Sequence, residues 1–509
     1  MLTLLGLFAC GTEADSGTPA APSDAFTVVG AVEVSDVEAC LAPRSEPTWV
    51  EVGESWGFLR AEASQPDHLD GGGLVVRDLD GDTLLDVMVH FPGEVPQRAT
   101  RSGGTWTSAP LGGDTVDEAA TVLDADADGD LDLLFGGRRP VTLVQGDSGW
   151  TVSALFPPPQ GNGFGISDHV VVDADLDGDD DVFVLLNSPG DEPELRRDYL
   201  WRRDGDSWVL VPDALAEVPA QGKGFDAVAL DLDVDGAAEV YVANDMGSQY
   251  GGNVLWRATE EGLVDVSAGC ACDLALSGMG VSAGDFTGGD EPDLFVAGTA
   301  YSALLQGGAD GTFFDVAAAT GADALAGPPE MVWGSAGADL DNDGQLDLLQ
   351  AQGDLWGADD AGAGSFESPL RWMRQDDGMF ADQGPSIGLP TTGSWRGVVA
   401  ADLNDDGVLD VVANDVEARA QVFLSEGCTE AGWLAVEAPE GSVVEVEVDG
   451  ETRRAWVTSH SGFGASGPPV AWFGLGEAES VDAVRVLGPL GEIGRVEGII
   501  LGRRWMRVR

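Results

Sequence analysis

A nine-residue acidic pattern recurs seven times along this 509-residue chain. It reads "DLDGDTLLD" from Asp78, "DADADGDLD" from Asp124, "DADLDGDDD" from Asp173, "DLDVDGAAE" from Asp231, "DFTGGDEPD" from Asp285, "DLDNDGQLD" from Asp339 and "DLNDDGVLD" from Asp402. Successive starts lie 46 to 63 residues apart, which fits one supersecondary unit per repeat. The fold must therefore present one loop seven times on a repeated frame.

The flanks define that frame. Before the loops stand runs such as "GGGLVVR", "HVVV", "FDAVAL" and "WRGVVAA", and after them "DVMVHF", "DVFVLL", "EVYVAND" and "DVVANDV". Short runs rich in β-branched and aromatic residues read as strands on either side of each loop. A second hairpin follows in most repeats, with Asp204-Gly205, Asp310-Gly311 and Asp377-Gly378 at the turns. Four antiparallel strands per repeat of roughly 40–50 residues make a propeller blade. The expected fold is all-β: a seven-bladed β-propeller followed by a small carboxyl-terminal β module.

Composition narrows the partners. A 43% hydrophobic content describes a folded chain rather than an acidic tail, while 89 acidic against 25 basic residues give a formal charge of −64. That charge repels phosphate backbones and anionic headgroups, so nucleic acid is excluded as a partner class. Cations and ligands held by hydrogen bonds or stacking remain.

The loop chemistry points to one class of cation. Acids at positions 1, 3 and 5 of a tight loop converge on one point; the carbonyl of position 7 and the acid of position 9 complete an all-oxygen shell. Such a shell suits Ca²⁺, which takes 6–8 oxygens, better than Mg²⁺ or Zn²⁺. Glycine at position 6 supplies a positive φ. Without a cation, two carboxylates ~4 Å apart repel by about 4 kcal/mol at an effective dielectric near 20.

This D-x-D-x-D-G-x-x-D loop between strands resembles the FG-GAP or VCBS repeats of integrin-α-like propellers. "GMGVSAGDF" and "EVYVANDMGSQYGGNVLWR" are similar to the variant of the cartilage acidic protein family. "RRAWVTSHSGFGASGPPVAWFGLGEAESVDAVRVLGP" resembles the ASPIC/UnbV module that follows such propellers, chiefly in Phe473-Gly474-Leu475-Gly476 and Val481-Asp482. The resemblance covers residues from about 48 to 500 and implies a calcium-loaded extracytoplasmic propeller.

Carried over residue by residue, the implied ligands are Asp78, Asp80, Asp82 and Asp86; Asp124, Asp126, Asp128 and Asp132; Asp173, Asp175, Asp177 and Asp181; Asp231, Asp233, Asp235 and Glu239; Asp339, Asp341, Asp343 and Asp347; and Asp402, Asn404, Asp406 and Asp410. About six Ca²⁺ ions are expected. The first loop has Thr83 in place of the glycine. The fifth keeps Asp285, Thr287 and Asp293 but has Gly289 at position 5, and is expected to be weak or empty.

The amino terminus, "MLTLLGLFACGTEADSG", resembles a lipobox: residues 1–9 as a signal peptide, Cys10 as the lipidated residue and 10–25 as a flexible tether. The apolar run is short and lacks preceding basic residues, so the natural start is expected upstream. No later stretch reaches the ~18 apolar residues of a spanning helix. The body, a propeller over 26–428 and a module over 429–509, is expected outside the cytoplasm. Its anchor would be the lipid on the bacterial outer membrane or cell surface.

Four further cysteines admit three pairings. Cys40 precedes "TWVEVGESWGF", which resembles the outer strand missing from the last repeat, and Cys428 follows "QVFLSEG", the strand it should join. Ring closure therefore favours Cys40 with Cys428, leaving a Cys270–Cys272 pair or two thiols.

Catalytic signals are sparse. Ser282 in "GVSAG" lies in a strand rather than a strand–turn–helix elbow, and "GDSGW" at 146–150 falls in an outer hairpin. His68, His90, His169 and His460 stand singly in sequence, without metal-ligand spacing. Trp201, Trp208, Trp256 and Trp333 are expected to pack between blades. No catalytic residue is expected. The reading is a monomeric surface protein that binds or adheres to protein or glycan ligands. Its competitor is a polysaccharide-active or phosphoester-active enzyme on the same scaffold, marked by a carboxylate cluster away from the loops in a concave pocket.

Overall fold

The computed structural model describes residues 25–38, 40, 44, 48–58, 72–146, 149–156, 165–187, 198–211, 222–289, 291–299, 301–323, 331–353, 368–390, 392–416, 419–429 and 431–508. Cys10, His68 and part of "GDSGW" lie outside the described residues.

Seven antiparallel sheets are built as expected. Blade I contains Gly73–Arg77, Asp86–His90, Gln97–Ser102 and Thr105–Pro110. Blades II to VI begin at Glu118–Leu123, Ile166–Val172, Lys223–Leu230, Gly278–Gly284 and Met331–Ala338, each running through four strands in chain order. Blade VII takes Trp395–Ala401, Asp410–Asp415 and Ala420–Ser425, then borrows Trp49–Glu51 as its outer strand. First strands of successive blades pack together, and that of blade VII packs against that of blade I, so the ring closes.

Inner strands are apolar on both faces because blades stack against each other on both sides, whereas outer strands alternate. Asp86–His90 is wholly buried; Thr105–Pro110 is exposed at every other residue or more. The Asp-Gly turns fall where expected, and at Asp377 and Gly378 both φ angles are positive, 50° and 78°, the requirement of a type I′ hairpin. Cys40 is bonded to Cys428 and Cys270 to Cys272.

The carboxyl-terminal module is built from both ends of the chain. One sheet pairs Ala25–Gly30 with Gly491–Leu501 and continues through Ser480–Gly488, Val443–Val448 and Glu451–Trp456. The other pairs Val32–Val34 with Arg504–Val508 and continues through Gly432–Glu437 and Val470–Gly476. Residues 26–34, expected in the propeller, are thus module strands: they cover sheet edges that would otherwise leave backbone donors and acceptors unpaired.

Between two module strands, residues 457–467 plug the central channel of the propeller. Ala465–Ser466 adds a short parallel strand to Gly73–Arg77. Ser466 Oγ donates to the carbonyl of Ala120 at 2.9 Å and Ser461 Oγ to that of Val398 at 3.0 Å. Phe463 is buried among Phe225, Met279, Met331 and Trp333. Phe225, Met279 and Trp333 sit where the inner strands of blades IV, V and VI shift register; such bulges re-aim side chains, here into the channel.

Candidate metal centres

Six of the seven loops share one hydrogen-bond scheme. The acid at position 1 accepts backbone N–H groups from positions 5 and 6: Asp173 from Asp177 and Gly178 at 3.1 and 3.0 Å, Asp339 from Asp343 and Gly344 at 3.1 and 2.9 Å, Asp402 from Asp406 and Gly407 at 3.1 and 2.9 Å. Asp78, Asp124 and Asp231 repeat it. The acid at position 9 is buried and folds back as expected, its Oδ2 accepting the N–H of position 2, as for Asp132 from Ala125 at 2.8 Å and Asp410 from Leu403 at 2.8 Å. Its Oδ1 accepts a third-strand N–H, from Gln145, Arg203, Gln375 and Ser425 in blades II, III, VI and VII. Position 9 therefore ties each loop to its own blade.

These bonds bring the acids together. Ligand-capable oxygens of Asp78, Asp80 and Asp86 lie within 4.8 Å of one another, as do those of Asp124, Asp126 and Asp132, of Asp173, Asp175 and Asp181, and of Asp231, Asp233 and Glu239. In the metal-free protein burial, helped by the neighbouring acids, raises Asp86 and Asp181 to about 7 and Asp132 to about 6, and pushes Asp339, Asp347, Asp402 and Asp410 up as well. Glu239 rises to about 7 through burial despite Arg257 beside it. Asp175 Oδ1 and Asp341 Oδ1 are buried without a hydrogen-bond partner. Convergent, partnerless oxygens in an all-oxygen donor set fit a hard divalent cation.

In four loops a guanidinium pairs with the acid at position 3. Arg98 meets Asp80 at 2.7 Å, Arg202 meets Asp175 at 3.1 Å, Arg257 meets Asp233 and Glu239, and Arg374 meets Asp341 at 2.6 Å. Four acids around one divalent ion leave excess negative charge, which an adjacent arginine offsets. The fifth loop differs as expected: Asp285 accepts N–H groups from Gly288 and Gly289, and Gln306 rather than an arginine reaches Thr287 at 2.9 Å.

The module sits on this loop face. Trp456 Nε1 donates to the carbonyl of Asp231 at 2.9 Å, and Trp472 Nε1 to Oδ1 of Asn342 at 2.8 Å. A Cβ on Gly407 would meet Nε1 of Trp433 at 2.0 Å, so the sixth-position glycine of loop VII also admits the module. Clefts remain around the contact. One of about 900 Å³ is lined by Trp456, Trp472, Trp505, Arg453 and Arg454, and one of about 740 Å³ lies between blades III and IV and the module.

Beside the second cleft, which Asp168 and His460 line, lies a cluster not foreseen from the sequence: Asp168, His460 and the fully buried Asp226, with ligand-capable atoms within 4.8 Å of one another. Burial, then the charge of Asp226, holds the Asp168 carboxyl well above the usual range. Burial opposes protonation of His460, but Asp226 outweighs it and the imidazole pKa is raised. A readable signal existed: "ISDHVVV" and "KGFDAVAL" each place an aspartate five residues ahead of the loop, inside a buried inner strand.

The remaining candidates behave as packing groups. Ser282 lies in strand Gly278–Gly284 and shares a hydrogen bond with Ser335 at 2.9 Å. His90 and His169 are buried, which lowers their pKa to about 3 and about 4. Trp201, Trp256 and Trp333 are buried, and Trp208 donates to the carbonyl of Ala125 at 2.8 Å in the neighbouring blade.

Residues 437–506 match the family described as ASPIC and UnbV, and residues 354–413 the FG-GAP-like repeat. The chain is 24% identical over 464 residues to cartilage acidic protein 1 of Homo sapiens, covering 73% of this chain and 68% of that one. With cartilage acidic protein 1 of Mus musculus it shares 24% identity over 331 residues, 59% of this chain and 48% of the relative. Similar solved structures include BBS1N in complex with ARL6DN (TM-score 0.44, 10% identity, 74% of this chain and 96% of that one). YCF48 bound to D1 peptide is another (TM-score 0.40, 11% identity, 72% and 98%).

Proposed function

We propose that this chain is a calcium-loaded extracytoplasmic propeller that binds or adheres to protein or glycan ligands at a cell surface. The observation that carries the reading is the loop geometry: convergent carboxylates in an all-oxygen donor set, repeated around one face, match the preference of Ca²⁺. In each of six loops the acids at positions 1, 3, 5 and 9 hold the ion, with Asn404 in place of one acid in the last; the ion fixes the loop. Two disulfides support an oxidising compartment, and lipidation at Cys10 would anchor the chain to a bacterial outer membrane or cell surface. No helix among the described residues is long and apolar enough to cross a membrane.

The plug fills the channel, so ligands are assigned to the clefts beside the module. The three tryptophans and two arginines of the larger cleft suit stacking and hydrogen bonding to a sugar. The test is a glycan array and surface pull-down with the calcium-loaded chain: binding that disappears on chelation and weakens in Trp505→Ala supports the reading. Binding that is absent, or indifferent to both changes, refutes it.

One observation favours the enzymatic reading: Asp168, Asp226 and His460 form a cluster away from the seven loops, and Asp168 and His460 line a concave cleft. A lyase or hydrolase acting there would turn over polysaccharide or phosphoester substrates and lose activity in Asp226→Asn. Absence of turnover across both classes leaves the binding reading alone.

A further inference from the structure

Blades III and IV place an aspartate at the same position of the channel wall. Asp168 and Asp226 both lie five residues before the first acid of their loop. Both follow directly on the extra residue that shifts the register of the inner strand. The plug lays His460 between them, with Nδ1 4.0 Å from Oδ2 of Asp168 and Nε2 3.3 Å from Oδ2 of Asp226.

Blade V orients two of the three from outside the cluster. The N–H of Val281 donates to Asp226 Oδ2 at 2.7 Å, and the carbonyl of Val281 lies 3.2 Å from His460 Nε2, placed to accept its proton. That leaves Nδ1 of His460, Oδ2 of Asp168 and Oδ1 of Asp226. Both oxygens are buried and accept no hydrogen bond. Two buried carboxylates with bare oxygens facing an imidazole are costly unless positive charge sits among them.

We infer that this cluster is a site for one first-row divalent metal ion of the Zn²⁺ or Mn²⁺ class, held by Asp168, Asp226 and Nδ1 of His460. The donor set decides the class: an imidazole with two carboxylates suits a borderline ion, whereas Ca²⁺ prefers oxygen alone. A hydrogen bond from the far ring nitrogen to a backbone carbonyl is what fixes the tautomer of a metal-bound histidine. The gap between Nδ1 and Asp168 Oδ2 is 4.0 Å. Two metal bonds of about 2.0–2.2 Å at a tetrahedral angle join donors about 3.3–3.6 Å apart, so the pair closes by about half an ångström on binding the ion. Asp168 and His460 line the cleft, which gives an ion access to the cluster. The site lies outside the seven acidic loops and joins the plug to blades III and IV, so it stands independently of the calcium reading.

The test uses the full chain, stripped by chelator and refilled with excess Ca²⁺, then titrated with Co²⁺ as a visible probe and with Zn²⁺. The expected result is about one Co²⁺ per chain with ligand-field absorption, displaced by Zn²⁺ but not by Ca²⁺. His460→Gln and Asp168→Asn should each lose that ion while the Ca²⁺ count stays unchanged. X-ray absorption on Zn²⁺-loaded wild type needs no variant and should show one imidazole in the shell. Failure of the wild type to retain either ion overturns the site and leaves a protonated His460 bridging two carboxylates. Retention by both variants, or an all-oxygen shell, overturns it equally and places the ion in the acidic loops.

Discussion

At the scale of single residues, the acidic loops carry backbone strain that composition does not reveal. Position 6 has φ near 90° in most loops, as its glycine predicts, and Thr83 adopts the same conformation with φ 73°. Position 4 also lies in the left-handed region, and in five loops it is not glycine: Ala127, Leu176, Val234, Asn342 and Asp405 have φ between 57° and 64°. A branched residue there costs of order 1–3 kcal/mol. Thr83→Gly should therefore raise stability by about 1 kcal/mol, part of the gain being reduced by glycine's larger unfolded-state entropy. A thermal melt checks it, and a lowered melting temperature would show that Thr83 is held by contacts worth more than its strain. The loop acids make a second prediction, on pH. Folded pKa values near 6 and 7 for Asp86, Asp132, Asp181 and Glu239 exceed unfolded values of about 3.9–4.3. The folded, metal-free chain thus binds more protons than the unfolded one in that window, and its stability falls as pH rises from about 4 to 7. Buried His90 and His169, both shifted down, oppose this by losing stability as pH falls below about 6.5. The raised acids outnumber them. Chelated protein should melt higher at pH 5 than at pH 8, and calcium-loaded protein the reverse, because bound carboxylates must be ionised; equal melting of the chelated form at both values would contradict the shifts.

At the scale of elements, what was legible in the sequence is what neighbouring residues decide. The acidic loop, the strand on either side and the Asp-Gly hairpin are fixed within about twenty residues, and all appear where the spacing placed them. The outer strand of blade VII, though far away in sequence, was legible because the last repeat lacked one and "TWVEV" supplied it. The module strands Ala25–Gly30 and Val32–Val34 were not: nothing local distinguishes them from a blade strand, and only the pairing with Gly491–Leu501 and Arg504–Val508 assigns them. The channel bulges were hidden for the same reason, since the partner they aim at, Phe463, lies beyond the last repeat. Closure of blade VII yields a third prediction. Trp49–Glu51 holds Ala420–Ser425 by a short ladder, and the Cys40–Cys428 bond joins residues 388 apart beside it. In the chain-entropy account so long a loop gives more than about 4.7 kcal/mol, an upper figure that native strain reduces. Cys40→Ser should cost about 2–5 kcal/mol and speed hydrogen exchange in the outer strand of blade VII first. Cys270→Ser, which opens a loop of very few residues, should cost much less; the opposite ranking by denaturant unfolding would remove the latch from the account.

For the whole molecule, the plug and the loops decide whether propeller and module are two bodies or one. Residues 457–467 touch the inner strands of all seven blades, from Leu74 N–H on the Gly464 carbonyl in blade I to Ser461 on Val398 in blade VII. The module meanwhile rests on acidic-loop residues Asp231, Asn342 and Gly407. Neither part can unfold without exposing the other's buried surface, so calorimetry should show one transition rather than two. Calcium should move that transition as a unit. If each of six loops binds with Kd near ~0.1 mM, then ~1 mM Ca²⁺ contributes about 1.4 kcal/mol per loop and roughly 8 kcal/mol in all, comparable to the net stability of an ordinary domain at about 5–15 kcal/mol. Chelation should lower the melting temperature sharply; Asp343→Asn in the complete sixth loop should lower it measurably, and Asp285→Asn in the degraded fifth hardly at all. Phe463→Ala, which empties the centre of the channel, should cost about 3–5 kcal/mol and shift the single transition without splitting it. A module that melts separately in the calcium-loaded protein, or melting unchanged by chelator together with fewer than about three Ca²⁺ ions on the dialysed chain, would show that the loops are acidic turns and the plug a passive tether.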